Sequence, residues 1–76
     1  MLYTYEQIVL AEDIPQYGLQ MGDVGTVVDI TPNNQQVTLE FFNFLEETIA
    51  VVPLKMSQLR HLDPQEIMHA RSVKLV

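Results

Sequence analysis

Residues 21–30 read MGDVGTVVDI, a glycine turn running into a β-branched strand that carries a second glycine, Gly25. Valine, threonine and isoleucine are stiff at χ1 and pack well on a pleated surface, so Val24 to Ile30 predicts a strand. A glycine inside a strand gives up side-chain packing, and it marks a sharp bend or a close backbone approach. Small barrels need such features at their corners. Gly22 supplies the positive φ of the turn that feeds the strand. Gly22 and Gly25 are therefore read as structural turn residues, not as chemistry.

The flanks extend the pattern in both directions. Upstream, EQIVLAED (6–13) predicts a first strand with Ile8 and Leu10 on one face and Val9 on the other. EDIPQYGLQMGD (12–23) is a loop with two turns, punctuated by Pro15, Gly18 and Gly22. Downstream, TPNNQQ (31–36) is a polar turn. VTLEF (37–41) alternates, with Val37, Leu39 and Phe41 inward and Thr38 and Glu40 toward water. ETIAVVPL (47–54) predicts a fourth strand ended by Pro53, which has no N–H to give to a ladder. MSQLRHL (56–62) closes the set as a short turn or strand. Five short strands separated by turn signals predict an all-β fold, a small five-stranded barrel over residues 1–62.

Residues 63–76 form a C-terminal extension. DPQE (63–66) has Asp63 as a cap, Pro64 at the first helical position and Glu66 three residues after the cap. This predicts a short helix from Pro64 to about Ser72, with Ile67, Met68, Arg71 and Leu75 roughly on one side. An isolated helix of that length is marginal in water and needs a surface to pack on.

The chain has 76 residues, 47% of them hydrophobic, which suits one globular domain. A domain this small buries only about 60% of its unfolded surface, so any partner surface is a large share of the whole. There is no cysteine, which removes disulfides, thiolate chemistry and zinc–cysteine sites together. No stretch reaches the roughly 20 apolar residues a membrane helix needs. The N-terminal MLYTYEQIVL has no basic segment ahead of its apolar run, unlike a signal peptide. The expectation is a cytoplasmic protein without membrane contact.

Net charge is −6, unevenly placed. From Met1 to Leu54 the acidic side chains are Glu6, Glu12, Asp13, Asp23, Asp29, Glu40, Glu46 and Glu47, with no basic one among them. Lys55, Arg60, Arg71 and Lys74 all lie in the remainder. Nucleic-acid affinity rests mainly on Lys and Arg neutralising phosphates, so nucleic acid is not an expected partner. The field of the body favours a basic protein instead.

The combination LAEDIP (10–15), Gly18-Leu19 before GDVGTVV (22–28), LEF (39–41), TIAVV (48–52) and QLR (58–60) resembles the small bacterial family catalogued as domain of unknown function 4926. The resemblance covers about Ile8 to Leu62 and implies an SH3-like barrel with no established activity. Members of the family are often encoded beside small proteins of toxin-like or unknown character, which implies a cognate protein partner. The chain departs from the family pattern in its second hairpin. There NFLEE (43–47) stands where an Asp-Gly type of turn is usual, and the segment from Asp63 lies beyond the usual family end. A further similarity is to the KOW segment of ribosomal and transcription proteins, where a glycine-bent strand supports RNA contacts. Those segments are rich in Lys and Arg; MGDVGTVVDI has Asp23 and Asp29 and no base, so RNA binding is not carried over.

Catalytic, cofactor and metal patterns are not expected. His61 and His69 are separated by seven residues, about two helical turns, and do not form a zinc triad with Asp63 and Glu66. Glu12–Asp13 and Glu46–Glu47 are sequence neighbours, whereas acid–base catalysis needs separated carboxyls across a pocket. Ser57 and Ser72, the only serines, lack a nucleophile context, and Gly22-Asp-Val-Gly25 lacks the lysine and helix of a phosphate loop.

The aromatic cluster carries the functional reading. By alternation Phe42 faces outward, and Phe44 and Leu45 follow near the hairpin tip beside Glu46 and Glu47. Two fates are open for these residues. The C-terminal segment folds back over them, or they form an exposed patch for a partner protein or a second copy. The leading expectation is a non-enzymatic protein-interaction module, in its sharpest form the neutralising, antitoxin-like partner of a toxin-like neighbour. The alternatives are a structural accessory subunit of a larger assembly and, further off, a KOW-type nucleic-acid binder.

Overall fold

A computed structural model describes residues 2–73. Among them, five strands form one antiparallel sheet: β1 Gln7–Leu10, β2 Val24–Ile30, β3 Val37–Phe42, β4 Thr48–Leu54 and β5 Leu59–Arg60. The order across the sheet is β4-β3-β2-β1-β5. Four strands follow one another as a meander, and β5 returns to pair with β1. The sheet curls around its own apolar face into a small barrel-like fold, as the strand pattern predicts.

The core is the set of inward-facing residues that alternation selects. Ile8, Leu10, Val27, Val37, Leu39, Phe41, Val52, Leu54 and Leu59 cluster with Ile14 and Leu19 from the long loop. Every buried side chain among the described residues is hydrophobic. The loop contributes to the core because it is tied down. Ile14 bridges Leu19 across a single 3-10 turn at Pro15–Tyr17. The Gly22 N–H donates to the Leu10 carbonyl and the Leu10 N–H to that of Asp23. Gly22 has φ +96, the left-handed backbone the sequence reading assigned to it.

Strict alternation fails at two places, and each failure keeps the core apolar. Continuing inward from Gly25 and Val27, the period of two would bury Asp29. The β2–β3 register shifts between Val27 and Asp29, so Val28 is an extra residue, Asp29 stays exposed and Ile30 packs on the core. In β4 the register shifts opposite Phe41 and Phe42, which makes Ile49 the extra residue and turns it toward the core. A bulge of this kind flips the facing of every later side chain. Gly25 has a different role. It lies under the ring of Phe41 and beside Leu39, so it marks a close approach, while the register break falls three residues later.

The helix expected from Pro64 to Ser72 does not form; over the described residues to Val73 the chain makes one turn and otherwise has no regular secondary structure. The capping bonds are nevertheless present. The Asp63 carboxylate accepts the Gln65 N–H at 2.9 Å, and Glu66 reaches back to the Asp63 N–H at 2.8 Å. They close an isolated turn, because Arg60 grips Glu66 in a two-pronged ion pair and Ile67 and Met68 find no surface to pack on. A short helix without an apolar contact does not repay its nucleation cost. Leu75 lies outside the described residues. Among the described residues no helix is long and apolar enough to cross a membrane.

Candidate functional site

The β3–β4 hairpin ends in a loop that fixes its backbone while leaving its apolar side chains in water. Asn43 is the organiser. Its side-chain oxygen accepts the N–H groups of Leu45 and Glu47, both at 2.9 Å, and its amide nitrogen donates to the Glu47 carboxylate at 2.8 Å. The main chain adds Asn43 N–H to the Glu47 carbonyl and Glu46 N–H to the Asn43 carbonyl. Glu46 takes φ +64, the left-handed position that glycine commonly fills in three-residue hairpin loops. Here a glutamate bears that strain, of order 1–2 kcal/mol for a residue with a β-carbon.

On this scaffold Phe44 and Leu45 are 77% and 80% exposed and Phe42 is 45% exposed. Phe42 points outward as the alternation predicts. Val51 extends the strip, which the sequence reading missed. It pairs with Glu40 on the outer face of β4 and is exposed. The signal was available, since Val52 and Leu54 face inward and leave Val51 and Pro53 outward. Glu40, Glu46 and Glu47 surround the apolar residues, and Glu40 is held in place by the Thr48 hydroxyl. The tip thus presents an apolar centre with a carboxylate rim.

The C-terminal segment leaves this patch exposed among the described residues, and it is held at Asp23, just before β2. Arg71 donates through Nε to one carboxylate oxygen of Asp23 at 3.0 Å and through a terminal nitrogen to the other, and also to the Gly18 carbonyl at 3.2 Å. Its hydrogen bond to Asp23 raises the Arg71 pKa further above its ordinary value. The Arg60 bond holds the Glu66 carboxyl well below the usual carboxylate range, at about 2. These two pairings were not legible in sequence, where their members are separated by other charges.

The remaining sequence candidates are scattered. Gln58 donates to Glu12, and Asp13 accepts the Met21 N–H, so Asp13 closes the long loop as a turn residue. Both line a shallow groove with Ile14, Pro15, Pro53 and Leu54. His61 lies 3.3 Å from Glu6, while His69 is exposed. Among the described residues no three His, Asp or Glu side chains come close enough together to hold a metal ion.

Comparison with known families agrees with the resemblance seen in the sequence. Residues 4–61 match the family described as Domain of unknown function (DUF4926), and the chain belongs to that family. No curated protein and no solved structure matches the chain.

Proposed function

We propose that this chain is a non-enzymatic, cytoplasmic protein-interaction module that docks through its β3–β4 hairpin tip onto a basic protein partner. The observation that carries the reading is the exposure of Phe42, Phe44 and Leu45 on a loop whose backbone is locked by Asn43. A rigid loop binds with little further ordering cost, and exposed aromatic anchors ringed by polar groups are the usual energetic centre of an interface. The rim of Glu40, Glu46 and Glu47 selects positive charge opposite it. In its sharpest form the partner is a toxin-like neighbour that this chain neutralises. A role as accessory subunit of a larger assembly uses the same surface, as does pairing with a second copy.

The test is a double substitution, Phe44→Ser with Leu45→Ser. Neither side chain belongs to the core, so the variant keeps its folding stability within about 1 kcal/mol of the parent. Affinity capture from the native host, read against the parent, then loses a basic protein; light scattering loses a dimer if the partner is a second copy. An unfolded variant, or unchanged association, places the working surface elsewhere.

A further inference from the structure

Val9 is buried to 1% yet stands outside the core cluster, because it faces the opposite side of β1 from Ile8 and Leu10. Something on the outer face covers it. Its cross-strand partners are Arg60 on β5 and Val24 on β2, so Arg60, Val9 and Val24 form one row across three strands. Paired residues share a face of the sheet. At one end of that row Arg60 holds Glu66 by two bonds of 2.8 and 2.7 Å. At the other end Asp23, the residue before Val24, holds Arg71. The chain from Glu66 to Arg71 therefore begins over β5 and ends beside β2, and it crosses β1 where Val9 lies. Two strand spacings are roughly 10 Å, and five residues reach about 17 Å when extended, so the segment spans the row with slack.

We propose that residues 66–71 form a strap latched across the outer face of the sheet, which covers Val9 and opens as a unit while the barrel stays folded. The strap has little apolar grip of its own: Ile67 and Met68 are 91% and 84% exposed, and His69 and Ala70 face water. Its hold is the pair of arginine–carboxylate forks at its ends. Such bonds are directional and strong for their size but weaken as salt screens them. The barrel does not depend on the strap, since its core lies on the other face. Opening uncovers Val9 beside Val24, which is already 42% exposed.

The chain has no cysteine, so one introduced thiol is a clean reporter of access. Val9→Cys is made in the full chain with and without R71Q, and thiol labelling rates are compared. Val37→Cys, at a core position that is 0% exposed, serves as the control for barrel opening. With the strap closed, both thiols label slowly. R71Q raises labelling at position 9 about tenfold, the factor that about 1.4 kcal/mol of latch gives, and leaves position 37 unchanged. Raising salt from about 0.1 to 1 M cuts the Debye length from roughly 10 to 3 Å, and speeds position 9 only where Arg71 is intact. Equal labelling at position 9 in both backgrounds overturns the strap, as does a parallel rise at positions 9 and 37. If Val9→Cys does not fold, the 15N heteronuclear NOE of residues 66–71 replaces it. It falls in R71Q while the strands keep theirs, and an unchanged NOE counts against the latch.

Discussion

At Gly25 the missing side chain is a packing requirement. A β-carbon built there lies 2.9 Å from two ring atoms of Phe41 and 3.2 Å from the β-carbon of Leu39. Neither neighbour can yield cheaply, because Phe41 is 3% exposed and wedged in the core, and the Leu39 β-carbon moves only with its backbone. Gly25→Val therefore destabilises the fold by about 1–3 kcal/mol, the usual cost of overpacking. For a domain of this size each 1 kcal/mol lowers the melting temperature by roughly 4–8 °C. A calorimetric scan that shows no shift removes the close approach as the reason for the glycine. Gly22 differs in kind: nothing lies within 4 Å of a β-carbon there, so its requirement comes from φ +96 alone.

At the scale of elements, the C-terminal turn makes a prediction about acid. Glu66 has its pKa lowered to about 2 by the Arg60 bonds and the Asp63 N–H. A carboxylate depressed in the folded state contributes stability that is fully present above its unfolded pKa, and loses it as pH falls through the folded value. The turn should thus hold unchanged down to about pH 4.5 and come apart only as pH approaches 2. A carbon-13 titration of the Glu66 carboxyl checks this, and a midpoint above 4 removes the Arg60 fork as a standing feature. The same segment shows where sequence reading stops. DPQE reads as a capping arrangement and its capping bonds are present, but whether a cap starts a helix depends on what lies beneath the following residues. Here the segment is held at its ends by Arg60 and Asp23, neither of which is near in sequence to the strap's middle. The strands were legible because VTLEF and its neighbours alternate. The β2 bulge is legible only by a further step, asking what alternation would do to Asp29, and the β4 bulge by asking the same of Ile49. In the hairpin, the outward facing of Phe42 followed from period two. The locking role of Asn43 did not, because it depends on the loop closing to bring the Leu45 and Glu47 N–H groups to one oxygen.

Across the whole molecule, the charge pattern and the ion pairs act together. Net charge is −6, and all eight acidic residues before Lys55 stand without a basic neighbour in that part of the chain. Of the four basic residues, Arg60 and Arg71 are engaged by Glu66 and Asp23, so their charge is offset where it stands. A phosphate backbone approaching the barrel meets carboxylates on the hairpin tip and the long loop. Even at the tail it must break an internal fork to gain an arginine. Each phosphate neutralised releases counterions and is the source of nucleic-acid affinity, so a surface with few free cations gains little from this term. Binding to RNA or duplex DNA in 150 mM salt should be no tighter than weak non-specific association, roughly 0.1 mM or worse. Fluorescence anisotropy with a labelled oligonucleotide measures it directly. The salt dependence separates two causes of any binding that is found. A steep fall with salt would mean the tail arginines have left their carboxylates, and D23N, which frees Arg71, should then strengthen it. Micromolar affinity with little salt dependence would mean that bases stack on the exposed aromatics of the hairpin, and the charge argument against nucleic acid would fail.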